Sequence, residues 1–185
     1  MFIIAVINTV EDFFNGIIII FMAILQIKKY PEKILKTKSE KITRIDGKLL
    51  KLSKDMLETM YFFNGIGLAA NQVGELSSVF VADIKPDGKQ KPIILFNPKI
   101  LSCKGNCYLE EGCLSFPGIS AKIKRAEKIV VCGIRPDEKE IKMEVEGILA
   151  RVFQHEIDHL NGIVFFDRVN FIRRLKLNRE YFRKK

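Results

Sequence analysis

Only two histidines occur in the 185 residues, and they stand four apart, His155 and His159 in the segment QHEIDHLNG. On a helix, residues i and i+4 lie one above the other on one face, so imidazoles at this spacing converge on a single metal ion. Glu156 follows the first histidine, where its carboxylate can reach a water beside such an ion rather than the ion itself. An exposed polar helix turn is the competing account, but both of the chain's histidines are spent here and the flanks are apolar. Ile148 and Val152 share the histidine face in the two preceding turns, so an apolar wall should adjoin the metal, whether as a substrate pocket or as ordinary core.

Two histidines leave a catalytic metal one protein ligand short, since such sites hold three and keep a position open. Downstream of His159 the only acidic residues are Asp167 and Glu180, neither on an obvious ligand helix. Upstream, EEGCLSFPG sets Cys113 between Gly112 and a Leu-Ser-Phe-Pro run that cannot be regular helix. A thiolate there would complete a Cys-His-His set, and a small buried hydrophobe is the other use of such a cysteine. Cys103 and Cys107 suggest a structural zinc site, but no free histidine remains for one, and Cys132 makes only a third cysteine. Four cysteines are also too few for a disulfide scaffold.

A third segment, GIGLAANQVG, fits the form G-x-G-x-x-A through Gly65, Gly67 and Ala70. That dinucleotide fingerprint must follow a strand and open a helix, and here the order is reversed. A glycine-rich loop whose backbone approaches a ligand is the better account. Within it Gln72 is an uncharged donor suited to a developing oxyanion, or else a loop glutamine in solvent.

The elements that must position these residues follow from composition and periodicity. One domain is expected at this length, and 48% hydrophobic with 29% charged residues excludes a disordered or collagen-like chain. Asp46 caps a helix running to about Phe63, with Leu49, Leu52, Met56 and Met60 on one face. SSVFVADI, PIILFNPKIL, EKIVVCGI and KEIKMEVE read as strands, antiparallel because their connections are too short for helical crossovers. A second helix spans about Glu146 to Leu160 and stops at Asn161-Gly162. A basic helix from about Asn170 closes the chain, with Ile172, Leu175 and Phe182 expected inward. The sum is an α+β fold, antiparallel or mixed sheets around a central helix that carries HExxH.

The amino terminus divides from this domain. Residues 13–27 are the most apolar window but are interrupted by Asn15, Gly16 and Gln26, and the flanking charges are wrong for a secretory signal. Residues 1–21 are therefore an extension that packs on the fold, a peripheral anchor, or sequence upstream of an internal start at Met22. From Met22, MAILQIKKYPEKIL reads as a short alternating strand and a turn at Pro31. The division is residues 1–21, a catalytic domain over 22–170, and the basic helix over 171–185.

GIGLAANQVG, EGCLS and QHEIDHLNG, in this order and separation, resemble the three motifs of peptide deformylases, and the start at MAILQIKKYPEKIL resembles the beginning of that family. The resemblance implies metal-dependent hydrolysis of the N-formyl group from the initiator methionine of nascent chains, with release of formate. It implies Cys113, His155 and His159 as metal ligands, Glu156 as general acid/base, Gln72 and the Leu114 backbone N–H as oxyanion donors, and Gly67 as a backbone contact to substrate. The ion implied is most often ferrous iron (Fe2+), with Zn2+, Ni2+ or Co2+ able to replace it. A methionine side chain suits a wall of Ile66, Ile148 and Val152. The implied partners are formyl-methionyl nascent peptides in a bacterial-type cytoplasm, without a stable membrane partner. The net charge of +9 peaks in FIRRLKLNREYFRKK, which is either a docking surface for ribosomal phosphate or a solvated basic face. A metalloprotease built on HExxH and a non-catalytic metal- or RNA-binding protein are the competing functions. Release of formate, rather than of a peptide fragment, separates the first of these.

Overall fold

Gly147 turns a strand directly into the helix that carries the histidines. Its φ of +61° lies in the left-handed region that glycine enters without penalty. The preceding strand, β7 (Glu140–Glu146), and the helix, α2 (Gly147–Leu160), therefore meet without a loop. The structure is a computed structural model that describes residues 23–184. The expectations for residues 1–21 and for a start at Met22 lie outside the described residues.

β1 (Gly67–Ala69), β2 (Val79–Ala82), β3 (Ile93–Lys104) and β6 (Lys128–Ile134) join β7 in a five-stranded sheet of order β1-β2-β3-β6-β7. β4 (Cys107–Gly112) and β5 (Ser120–Arg125) form a separate two-stranded sheet. Every strand pair is antiparallel, as the short connections require. The helix α1 (Gly47–Phe62) starts where Asp46 accepts the Leu49 N–H at 2.9 Å, and it buries Met56 and Met60 against Leu68, Val79, Val81 and Phe96. α2 packs Ala150, Val152, Phe153 and Ile157 on the large sheet, with Phe153 edge-on to Phe80 at 5.0 Å. Its residues from Ala150 to Leu160 are all buried, so α2 is enclosed rather than laid on a surface. Among the described residues no helix is long and apolar enough to cross a membrane.

Three expectations need correction. Residues 23–29 form no strand and join no ladder. The Ala23 and Leu25 N–H groups donate to side chains of α1, to Asp55 at 3.2 Å and Thr59 at 2.9 Å, and those of Lys28 and Lys29 donate to the Gln72 carbonyl and to Glu32, so these groups are satisfied without a strand partner. GIGLAANQVG is not a plain loop: Gly67–Ala69 is β1, and Ala70–Val73 makes a turn of 3-10 helix. The last helix, α3 (Phe171–Arg183), turns Leu177 and Tyr181 inward, while Ile172, Leu175 and Phe182 are exposed. The face is chosen by an aromatic nest of Phe116, Phe165, Phe166 and Tyr30, in which the Tyr181 ring lies 5.6 Å from Phe116 and its hydroxyl donates to the Tyr30 carbonyl. Burying a side chain of this kind stabilises by about 1.5–3 kcal/mol, which decides the rotation of the helix.

Candidate active site

One cavity of about 770 Å³ brings the sequence-derived residues together: Ile66, Gly67, Gln72, Cys113, Leu114, Ile148, Val152, His155 and Glu156 all line it. His159 lies behind them, almost wholly buried, with Nε2 3.2 Å from Cys113 Sγ. β1 supplies Gly67, with Ile66 just before it, the 3-10 turn after it Gln72, the turn after β4 Cys113 and Leu114, and α2 the rest. The HExxH spacing works as its periodicity requires, with the two imidazole rings 4.9 Å apart on one face of α2.

Ligand atoms of Cys113, His155 and His159 all lie within 4.8 Å of one another. That is the span of a set around one ion whose bonds to nitrogen and sulfur run about 2.0–2.3 Å. One soft sulfur with two imidazoles is a donor set for a first-row transition metal rather than for calcium or magnesium. Two buried polar atoms, Glu156 Oε2 and His159 Nδ1, have no hydrogen-bond partner. Glu156 carries the consequence: burial, opposed by the nearby His155, pushes its carboxyl up to about 7. The residues present therefore fit a catalytic metal with an adjacent proton carrier.

Close contact fixes Glu156 against β1. A Cβ on Gly67 would collide with Glu156 Oε1 and come within 2.8 Å of Val152 Cγ1, so glycine is needed there for close approach. Gln72 is held at both ends, its Oε1 accepting the Ala69 N–H at 2.8 Å and its Nε2 lying 3.3 Å from Ser115 Oγ and 3.4 Å from Cys113 Sγ. Ile66 and Ile148 are half exposed at the cavity and Val152 is buried, which makes the apolar wall part of the cavity lining.

Sequence reasoning missed the polar network behind the site. Glu111 accepts from Arg125 at 3.0 and 3.1 Å and from Arg151 at 2.5 Å, and it lies 3.0 Å from His155 Nδ1. Burial alone would raise its carboxyl, but the hydrogen bonds from His155 and Arg125 hold it down to about 2. Arg125 also pairs with Asp158, which in turn receives Arg168. Holding Nδ1 orients the His155 ring and leaves Nε2 for a metal. The available signals were the second glutamate of EEGC and the alternation in SAKIKR, which puts Ala121, Ile123 and Arg125 on one buried face. Lys29 was missed too. Its Nζ donates to the Leu114 carbonyl at 2.6 Å, and burial lowers its ammonium against the opposing pull of the Cys113 sulfur.

The fold and site define the class, an α+β protein with a Cys-His-His cluster fit for a metal, its two histidines on a buried helix and a carboxyl beside them. A family model, polypeptide deformylase, matches residues 24–175. A peptide deformylase of Thermodesulfovibrio yellowstonii is 50% identical over 165 residues, 89% of this chain and 97% of that protein, and one of Aquifex aeolicus is 44% identical over 147 residues, 78% and 87% of the two chains. The crystal structure of a peptide deformylase from Legionella pneumophila aligns with a TM-score of 0.82 at 38% identity, covering 87% of this chain and 95% of that one. That of the Ehrlichia chaffeensis enzyme in complex with actinonin gives 0.83 at 36% identity, covering 89% and 99%. The chain belongs to the polypeptide deformylase family. Its reaction is the metal-dependent removal of the N-formyl group from the initiator methionine of nascent polypeptides, with release of formate.

Proposed function

We propose that Cys113, His155 and His159 hold the metal, that Glu156 carries the proton, and that Gln72 Nε2 and the Leu114 N–H bind the formyl oxygen as charge develops on it. The observation that carries this reading is the convergence of the three ligand atoms within 4.8 Å along the same cavity as Glu156, whose Oε2 has no partner. The chemistry supplied by a bound divalent ion is that of a Lewis acid, polarising the formyl group and acidifying water. Glu156 takes a proton from the attacking water as its oxygen bonds to the formyl carbon, and a group that titrates near neutrality is suited to that task. Gln72 cannot swing, because its amide is anchored to Ala69 and Ser115, so its donor is in place before charge appears. As the carbon–nitrogen bond breaks, Glu156 returns the proton to the departing α-amine and formate leaves. Gly67 lets the substrate backbone lie close to Glu156, and Ile66, Ile148 and Val152 receive the methionine side chain.

Ferrous iron is the ion of this reading, supported by the family resemblance and by the mixed sulfur and nitrogen donor set, with Zn2+, Ni2+ and Co2+ as replacements. Anaerobic purification, metal analysis and a formate-release assay on one sample test it. Cys113→Ser should weaken or exchange the metal, since a neutral hydroxyl is a poor substitute for a thiolate, and unchanged metal affinity and activity would remove Cys113 from the ligand set.

The setting in this reading is a bacterial-type cytoplasm, where nascent chains emerge, with no membrane partner. Residues 22–170 form its catalytic unit. The family match beginning at residue 24 supports this, and a chain starting at Met22 should fold and deformylate like the full one. Residues 171–185 dock on the ribosome through phosphate contacts. The exposed Arg173, Lys176, Arg179 and Arg183, which form no ion pair among the described residues, support that docking. Truncating α3 would strip Leu177 and Tyr181 from the core, so Lys176→Gln, Arg179→Gln and Arg183→Gln together are the cleaner probe. Ribosome co-sedimentation should fall steeply with salt and with these substitutions; binding indifferent to both would overturn the docking.

A further inference from the structure

Three consecutive residues near the amino terminus tie together the two segments that carry the oxyanion donors. The Lys28 N–H donates to the Gln72 carbonyl at 2.7 Å, and the Tyr30 N–H donates to the Ser115 carbonyl at 3.0 Å. Between them Lys29 Nζ donates to the Leu114 carbonyl at 2.6 Å. Gln72 and Leu114 otherwise come from unrelated places, the turn after β1 and the turn after β4, and these strands belong to different sheets. No strand ladder sets the distance between them.

We infer that residues 28–30 are a positioning strap that holds the Gln72 and Leu114 donors in register, with the Lys29 side chain as its clasp. The inference rests on the oxyanion roles proposed for Gln72 and Leu114. Donors aimed at a developing charge act only if they are fixed before it appears, and displacements of an ångström or less are costly. Two of the three ties are backbone bonds that any residue but proline could make. The third crosses from a side chain to the residue whose N–H is used, and only a long cationic donor spans it. Lys29 is half-buried and stands on the cavity lining, so its tie is partly shielded from competing water. It is a positioning residue, acting through Leu114.

The test uses the full chain loaded with one metal ion and a short formyl-methionyl peptide. Lys29→Met should lower kcat about ten-fold while KM changes less than about two-fold, because a misaligned donor is felt mainly in the transition state. Lys29→Arg, which keeps a long donor, should recover most of the loss. In metal-free protein, amide hydrogen exchange over residues 113–116 should quicken in Lys29→Met, and exchange in α1 should not. Gln72→Leu is measured alongside. If it loses turnover while Lys29→Met keeps wild-type kcat, the strap is wrong and the oxyanion roles stand; if Gln72→Leu itself turns over normally, those roles fail and the strap falls with them. A rise in KM at constant kcat would also overturn the strap. Should Lys29→Met not fold, Lys29→Gln carries the same comparison, its shorter arm being unable to reach Leu114.

Discussion

α2 and α3 both mix charges with apolar residues, yet they meet opposite fates. α2 buries Arg151, Gln154, His155, Glu156, Asp158 and His159, whereas α3 leaves Phe171 73% and Ile172 67% exposed. The difference lies in what each helix faces. Arg151 reaches Glu111 and the carbonyls of Cys107 and Ile123, Gln154 pairs with the backbone of Ala126, and Asp158 receives two arginines. Burial of charge is tolerated because the small β4-β5 sheet supplies partners for it. α3 meets an aromatic nest, which buries Leu177 and Tyr181, touches Phe182 through the Tyr30 and Tyr181 rings, and leaves Phe171, Ile172 and Leu175 exposed. A helix's own composition thus says less about its burial than the polar groups offered by its neighbours.

The contrast can be broken most severely at Glu156, the buried charge on α2 that lacks a full set of partners. Glu156→Gln should lower turnover by about 10²–10⁴-fold, the usual contribution of general acid–base catalysis. Metal analysis should still find one ion per chain; stoichiometric loss of metal, or near-native turnover, would show that Glu156 has another role. Next comes Arg125, shared between Glu111 and Asp158 with only 4% of its side chain exposed. Arg125→Met takes one cationic partner from each of two buried carboxylates, leaving Arg151 and His155 on Glu111 and Arg168 on Asp158, and should cost about 3 kcal/mol in urea unfolding. A cost below 1 kcal/mol would mean that the network is not what permits burial of α2. On α3 the effects shrink. Leu177→Ala should cost about 2–4 kcal/mol by leaving a cavity in the core cluster that holds the aromatic nest. Ile172→Ser, on the exposed face, should stay within about 0.5 kcal/mol. Equal costs at the two positions would show that α3 is rotated from the orientation described.

The same contrast explains what the sequence disclosed. His155, Glu156 and His159 were legible because helical geometry converts a spacing of four into one face, which needs no knowledge of the rest of the chain. Glu111 and Arg125 were not, since their partners stand 14 to 44 positions away and only the pairing of β4 with β5 aligns them. The inward face of β5 is Ala121, Ile123 and Arg125, and an arginine there disguises the alternation of a half-buried strand. α3 failed for the opposite reason. It holds more apolar residues than the core admits, and nothing local distinguishes Leu177 and Tyr181 from Ile172, Leu175 and Phe182.

The strap at residues 28–30 also bears on the order in which the enzyme comes into being. Its partners at 72 and 114–115, and the proposed ligands at 113, 155 and 159, are dispersed over most of the chain, so no short fragment contains the whole site. During synthesis from the amino terminus, the strap emerges first and waits for Gln72, then for Leu114, and the two imidazoles arrive last. Contacts between residues so far apart form late, because the entropy of closing the intervening loops must be overcome first. Capture of a metal by the proposed ligands thus requires closure of the whole topology. A chain released before α2 is complete lacks both imidazoles and Glu156.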